Sequence, residues 1–262
     1  MKYTIESTIP TVQYGNIRQS LEVESPEQES EAIDTIKRLW SRFGEQPLRD
    51  KSGGGEELTS FTGEKVLFNE EEHAYFDTNG NRLISASQYA NQFAKPFDKD
   101  KIIGPFAEKN GWSVDKVDDM WRLGNTISTS YGSALHECVE MMVKHADTDY
   151  VDKYVPVILQ PAVNSILEHM PDGVMSEVLV SDVKNGRAGR IDFLHIDGNS
   201  FSILDLKTNR EMKPDKLKVY AKQLSFYADV LIMHGYDLNS LDLLYFNGSE
   251  VTKINLDYEE TI

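Results

Sequence analysis

Asp192 and Asp205 stand on two short apolar runs, and Lys207 lies two residues beyond the second aspartate. Asp197-Gly198 between the runs is a strong hairpin signal. With Gly198 and Asn199 as the loop, Ile196 faces Phe201, Leu194 faces Ile203, Asp192 faces Asp205 and Arg190 faces Lys207. Carboxylates opposed in this way have Cβ atoms ~5 Å apart and destabilise an ordinary strand pair. A divalent cation between them would offset the repulsion; two solvated aspartates in a slipped or bulged register are the plainer alternative. Oxygen donors on neighbouring strands suit Mg²⁺ or Mn²⁺, one or two ions, which keep waters and share phosphate oxygens. Such an ion activates water and offsets charge in phosphodiester hydrolysis. Lys207 is placed to orient or deprotonate that water, or to stabilise the transition state.

Several elements must position these groups. Asn185-Gly186 predicts a second hairpin, Glu177–Lys184 against Arg187–Ile196, with Glu177 facing Leu194 and Leu179 facing Asp192. Strict alternation then puts Val178, Val180, Ile191, Phe193, Leu204 and Leu206 on one apolar face. Glu177, Arg190, Asp192, Asp205 and Lys207 share the other. Tyr131–His145 reads as a helix with Ala134, Leu135, Cys138, Val139 and Met142 inward. Gly132, His136 and Glu140 recur every four residues on another of its faces; taken alone, His136 reads as a half-buried histidine paired with Glu140. A helix over Val155–His169 precedes the hairpins. After them, Leu217, Tyr220, Leu224, Tyr227 and Leu231 mark a helix over about Pro214–His234, on which Gln223 and Tyr227 can face one ligand. Leu241–Phe246 reads as a last strand, with a peripheral acidic tail.

The formal net charge of −16 excludes nucleic-acid binding spread over the whole surface. Beside the paired aspartates the trend reverses: Lys207, Arg210, Lys213, Lys216, Lys218 and Lys222 meet only Glu211 and Asp215. One cysteine, Cys138, excludes a disulfide framework and a self-contained four-cysteine cluster. No apolar run spans a bilayer and no signal-peptide pattern opens the chain, so a cytoplasmic setting is expected. Residues 1–50 read as a small acidic β/α unit, with strands within 2–24 turning at Tyr14-Gly15-Asn16 and a helix over Pro26–Phe43. A partner-docking role and a mere packed appendage account for that unit equally well. Residues 51–62 read as a Gly-rich linker and 63–262 as the main domain, which opens with a β-meander turning at Asn79-Gly80. Short helices are expected around Ala86–Phe93 and Ser113–Arg122. Phe93, Phe97, Phe106, Trp112 and Trp121 can stack bases, but such aromatics more often form core.

Asp192 followed by Asp205-Leu206-Lys207 resembles the core of the PD-(D/E)XK nuclease superfamily. Gly132-x-x-x-His136-x-x-x-Glu140, the Glu177 strand, Gly189-Arg190-Ile191-Asp192, Asp205-Leu206-Lys207-Thr208 and Gln223-x-x-x-Tyr227 resemble its RecB-like exonuclease branch, over about residues 130–246. The resemblance implies an α/β fold: a restriction-endonuclease-like αβββαβ core, its mixed central sheet flanked by helices. It implies a Mg²⁺- or Mn²⁺-dependent deoxyribonuclease acting on DNA ends, of a phage or mitochondrial type without an iron–sulfur cluster. For a phage protein the setting is the bacterial host cytoplasm, and the role recombination, replication or repair. His136, Asp192, Asp205 and the Leu206 carbonyl would bind metal; Asp192, Asp205, Lys207 and Glu177 would be catalytic. Arg190, Thr208, Arg210, Gln223 and Tyr227 would contact DNA or support the site. An oligomeric ring is compatible with processive digestion. An endonuclease of the same fold, or a non-catalytic DNA-binding or assembly module, are the alternatives. Pro171-Asp172 with Asp182-Val183-Lys184 also fits the superfamily pattern, but the hairpin register puts Asp182 and Lys184 on the face away from Asp192.

Overall fold

In the computed structural model, which describes residues 3–11, 15–23, 55–145, 153–209 and 211–261, contacts divide the chain into Met1–Gly54 and Gly55–Ile262. In the first unit β1 (Tyr3–Thr11) and β2 (Gly15–Val23) form an antiparallel hairpin. Gly15 and Asn16, expected in the turn, are already paired with Thr11 and Pro10. The helix expected over Pro26–Phe43 lies outside the described residues.

The second unit begins with an antiparallel sheet of β3 (Glu56–Thr59), β4 (Lys65–Asn69), β5 (Ala74–Phe76) and β6 (Arg82–Leu83). Its β5–β6 turn is set by the Asp77 carboxylate, which accepts from the backbone N–H groups of Asn79 and Asn81 at 2.8 and 2.7 Å. The linker expected over 51–62 therefore needs correcting: 56–59 form a strand, and the Phe61 N–H donates to the Leu179 carbonyl at 2.7 Å.

Three helices follow. α1 (Ala86–Asn91) starts at a Ser85 capping box, α2 (Lys99–Asn110) runs from an Asp98 cap to left-handed Gly111, and α3 spans Val114–His145. The sequence reading had no helix at α2, where Gly104 and Pro105 weaken the signal, and it broke α3 in two. Leu123 to Ser130 is rich in Gly, Asn, Ser and Thr, all poor helix formers, yet the helix passes straight through it. α4 (Gln160–Leu167) is shorter than expected.

The central sheet has the order β11-β10-β9-β8-β7, where β7 is Met175–Asp182, β8 Arg187–Asp197, β9 Ser200–Lys207, β10 Asp237–Phe246 and β11 Val251–Asn255. β9 and β10 run parallel, joined by the crossover helix α5 (Pro214–Met233); the other pairs are antiparallel. β9 is buried from Phe201 to Leu206, as a strand covered on both faces must be. This is the expected mixed α/β sheet flanked by helices. One core lies between it and α1 and α5 (Leu194, Ile203, Leu224, Phe226), the other between it and α3 and α4 (Leu135, Val163, Phe193, Leu204).

The chain's last segment is not peripheral. Buried Asp229 of α5 accepts from the Tyr258 hydroxyl at 2.6 Å and the Thr261 N–H at 2.8 Å, and buried Arg187 of β8 approaches it at 3.5 Å. Asp229→Ala leaves the Arg187 guanidinium buried without its anion. Urea unfolding is expected to show a loss of about 3–5 kcal/mol.

Candidate active site

The β8–β9 hairpin has the expected register from Asp197↔Ser200 to Phe193↔Leu204, and its paired ladder stops one step before Asp192 and Asp205. There the Leu206 N–H donates instead to the Asp192 carboxylate, at 3.3 Å. β7 and β8 pair two residues away from the expected register: Asp182 lies opposite Arg187 and Met175 opposite Leu194. The reason is local. Asp182 caps a 3₁₀ turn over Val183–Asn185, accepting from the Asn185 N–H at 3.1 Å, so the loop is longer than an Asn-Gly pair. Asp182 is thereby occupied by this structural turn.

A second departure lies in the site itself. Glu177 has φ 53°, a left-handed conformation that costs a residue with a Cβ roughly 1–3 kcal/mol. At Glu177 and Asp192 the alternation of faces breaks. Phe193 belongs to the core under α3 and α4, whereas Ile191, two residues away, belongs to the core under α5. The single apolar face expected from Val178 through Leu206 is thus two half-faces, and the acidic residues occupy the seam between them.

α3 brings His136 to that seam. Its Nε2–H donates to the Leu206 carbonyl at 2.7 Å, and Nδ1 lies 3.6 Å from Asp192 and 3.8 Å from Glu140. Burial pushes this imidazole down, but Glu140 and Asp192 outweigh it and lift the group to about 9. Asp205 is buried, and Lys207 Nζ sits 2.5 Å from its Oδ2 as a charge contact without hydrogen-bond alignment. Burial raises the Asp205 carboxyl, opposed by Lys207 and reinforced by Asp192. Burial also lowers Lys207, but Asp205 and Asp192 overcome it and hold the ammonium charged. Tyr220 lies under that ammonium at 5.1 Å.

Glu177 faces Arg190 at 3.5 Å, and burial followed by Glu140 and Asp192 pushes its carboxyl up to about 7. Because folding raises this carboxyl, its ionisation works against the fold. The penalty is absent well below the ordinary value of 4.5 and complete above about 7. In metal-free protein, Glu177→Gln is therefore expected to add stability at pH 8 and little at pH 4. The gain is about 1 kcal/mol after discounting for solvent screening, and chemical denaturation at both pH values measures it.

Close packing holds the frame. A Cβ on Gly132 would lie 2.7 Å from the Thr208 hydroxyl, and one on Gly189 would lie 2.9 Å from the Tyr227 ring. Tyr227 is buried there and bonded to Gln223, so it supports the site from beneath; the DNA-contact role considered for it does not suit its burial. Arg190 is half exposed and lies over Phe68 at 5.1 Å. Arg210 lies outside the described residues. Beside His136 and Lys207 a cleft of about 520 Å³ opens, also lined by Asn125, Ser128, Thr129, Thr208, Lys213 and Lys216. Thr208 lines this cleft. Asn125, Ser128 and Thr129 were missed, since their stretch did not read as helix; a stripe at i, i+3 and i+4 from His136 back to Asn125 was the available signal.

A family model for the PD-(D/E)XK nuclease superfamily matches residues 117–257, more than half of the chain. The chain belongs to the PD-(D/E)XK nuclease superfamily. No curated protein was found to match it. Membership makes this a nuclease of a class that acts on DNA and generally uses divalent ions such as Mg²⁺ or Mn²⁺. Among the described residues of this PD-(D/E)XK protein, no three His, Cys, Asp or Glu side chains converge in ready ligating geometry, and His136 and the Leu206 carbonyl are spent on each other. The donor set still fits a hard divalent ion: two carboxylates, a carbonyl and one imidazole, with the buried Asp205 oxygen held by the Lys207 ammonium alone. No helix among the described residues is long and apolar enough to cross a membrane.

Proposed function

We propose that this protein is a RecB-like exonuclease that hydrolyses phosphodiester bonds from DNA ends, in phage-type recombination, replication or repair. The observation that carries this reading is that His136 of α3 lies 3.6 Å from Asp192 and donates to the Leu206 carbonyl, on the strand that also carries the Asp205–Lys207 pair. In this reading His136, Asp192, Asp205 and the Leu206 carbonyl hold Mg²⁺ or Mn²⁺. When bound there, such an ion would supply an acidified water and positive charge beside the scissile phosphate. Lys207, kept charged by two carboxylates, orients the attacking water and stabilises the charge that grows on the phosphate oxygens. Glu177 and Arg190 act as a pair at the seam, and Thr208 contacts the strand in the cleft. In this reading the protein works in the cytoplasm.

End-labelled linear DNA incubated with Mg²⁺ or Mn²⁺ tests the reading directly. Short labelled products from linear DNA, with closed circular DNA left intact, are expected. Nicking or linearisation of the circle would make the protein an endonuclease, and metal-independent binding without cleavage would make it a non-catalytic module.

A further inference from the structure

The aromatic residues that sequence alone assigned to core are largely on the surface. Phe97 is 68% exposed, and Phe106 and Trp112 are more than a third exposed. With Trp121 they form a continuous ladder: ring centroids lie 6.0 Å apart for Phe97–Trp121, 5.5 Å for Phe106–Trp121 and 6.4 Å for Phe106–Trp112. The inner edge of this ladder serves the fold, where Trp121 packs on Ile103, Ala107 and Val117 to hold α2 against α3, and Lys116 lies over the Trp112 ring at 4.8 Å.

The ladder is joined to the catalytic cleft by one helix stripe. Trp121, Asn125, Ser128, Thr129, Gly132 and His136 share one face of α3, each three or four residues from another of the set, and all but Trp121 line the cleft. From His136 back to Trp121 the stripe is roughly 22 Å long. Between its ends, Arg122 to Ser130 is exposed on every side of the helix. Among the described residues none buries this segment, which is unusual unless something else covers it. Facing it across the cleft are Lys213 and Lys216, with Glu211 beside them at 3.7 Å from the Lys213 ammonium. The Lys95–Asp215 ion pair at 2.7 Å ties the loop before Phe97 to the start of α5, on the basic side of the cleft.

We infer that this stripe and ladder form a binding track for single-stranded DNA leading into the active site. Lys213, Lys216 and the short polar side chains of Asn125, Ser128 and Thr129 hold the phosphates. Phe97, Phe106 and Trp112 stack the bases. Single-stranded substrate fits because an aromatic ladder offers ring faces, and only an unpaired strand has base faces free to meet them. A duplex keeps its bases stacked on one another and would leave the ladder idle. A second copy of the chain would also cover the apolar rings, and the oligomeric state measured below separates that cover from DNA. This inference rests on the nuclease reading for its substrate and names the strand form that reading leaves open.

The test is equilibrium binding of fluorescent single-stranded and blunt duplex oligonucleotides of one sequence to full-length protein in EDTA, with cleavage of the same DNA in Mn²⁺ measured separately. Single strands are expected to bind more tightly than duplex. Phe97→Ala and Trp112→Ala should each weaken single-strand binding by about tenfold, while Phe97→Tyr restores it. Lys213→Ala with Lys216→Ala should flatten the salt dependence of log K by about 1.4. Unchanged single-strand affinity in the alanine variants, with folding intact by circular dichroism, overturns the track. So does equal binding of duplex, or a dimer in light scattering that Phe97→Ala dissolves. Binding that follows these expectations in a protein that cleaves no DNA would sink the exonuclease reading and leave the track standing.

Discussion

Lys207→Ala is expected to lower phosphodiester cleavage by about 10³-fold or more, the scale on which a group acting on developing charge contributes. Its position leaves few other roles. The ammonium is four-fifths buried, 2.5 Å from Asp205 and over the Tyr220 ring, too well anchored to be a loose phosphate contact. The variant should still bind DNA, so the loss appears in kcat and not in KM. Lys207→Arg separates two chemistries. A fixed positive charge is partly replaced by guanidinium and recovers some rate, whereas a proton acceptor is not replaced at all. Full activity in Lys207→Ala, with circular dichroism showing a native fold, would remove this residue from the mechanism and the family motif with it.

The second large effect concerns metal. Adding Mn²⁺ to EDTA-treated protein should raise Tm, because an ion that binds only the folded state stabilises it by about 2.7 kcal/mol at a hundred times its Kd. The buried Asp205 carboxylate, balanced by Lys207 alone, is the ligand with most to gain. Asp205→Asn should abolish both the Tm response and cleavage. EDTA alone should stop cleavage in the unmodified protein, and Mn²⁺ should restore it. Calorimetric titration that finds equal Mn²⁺ affinity in Asp205→Asn would contradict the ligand set.

Much of this site was legible because its signals are local. Asp197-Gly198 fixed the β8–β9 register, and that register held as far as Phe193 and Leu204. The β7–β8 register was misread by two residues because Asn185-Gly186 looks like a complete turn, while Asp182 builds a longer one by capping Asn185. An even-numbered slip preserves faces, so Glu177 still met Asp192. The face switch was invisible, since nothing in the residue types announces a glutamate at positive φ. α2 and the middle of α3 were missed because Pro105, Gly124 and a polar run argue against helix, although Asp98 and Gly111 were fair end signals. Exposure of the aromatics could not be read from spacing. It depends on a helical pair whose own partners, Ile103, Ala107 and Val117, are few.

The seam at Asp192 has a mechanical consequence. Ile191 and Phe193 flank it in one strand and are locked into opposite cores. Anything that loosens either core twists the same backbone bond pair, so the carboxylate works like the needle of a balance loaded from both pans. Leu224→Ala on one side or Val163→Ala on the other should therefore slow turnover without approaching the cleft.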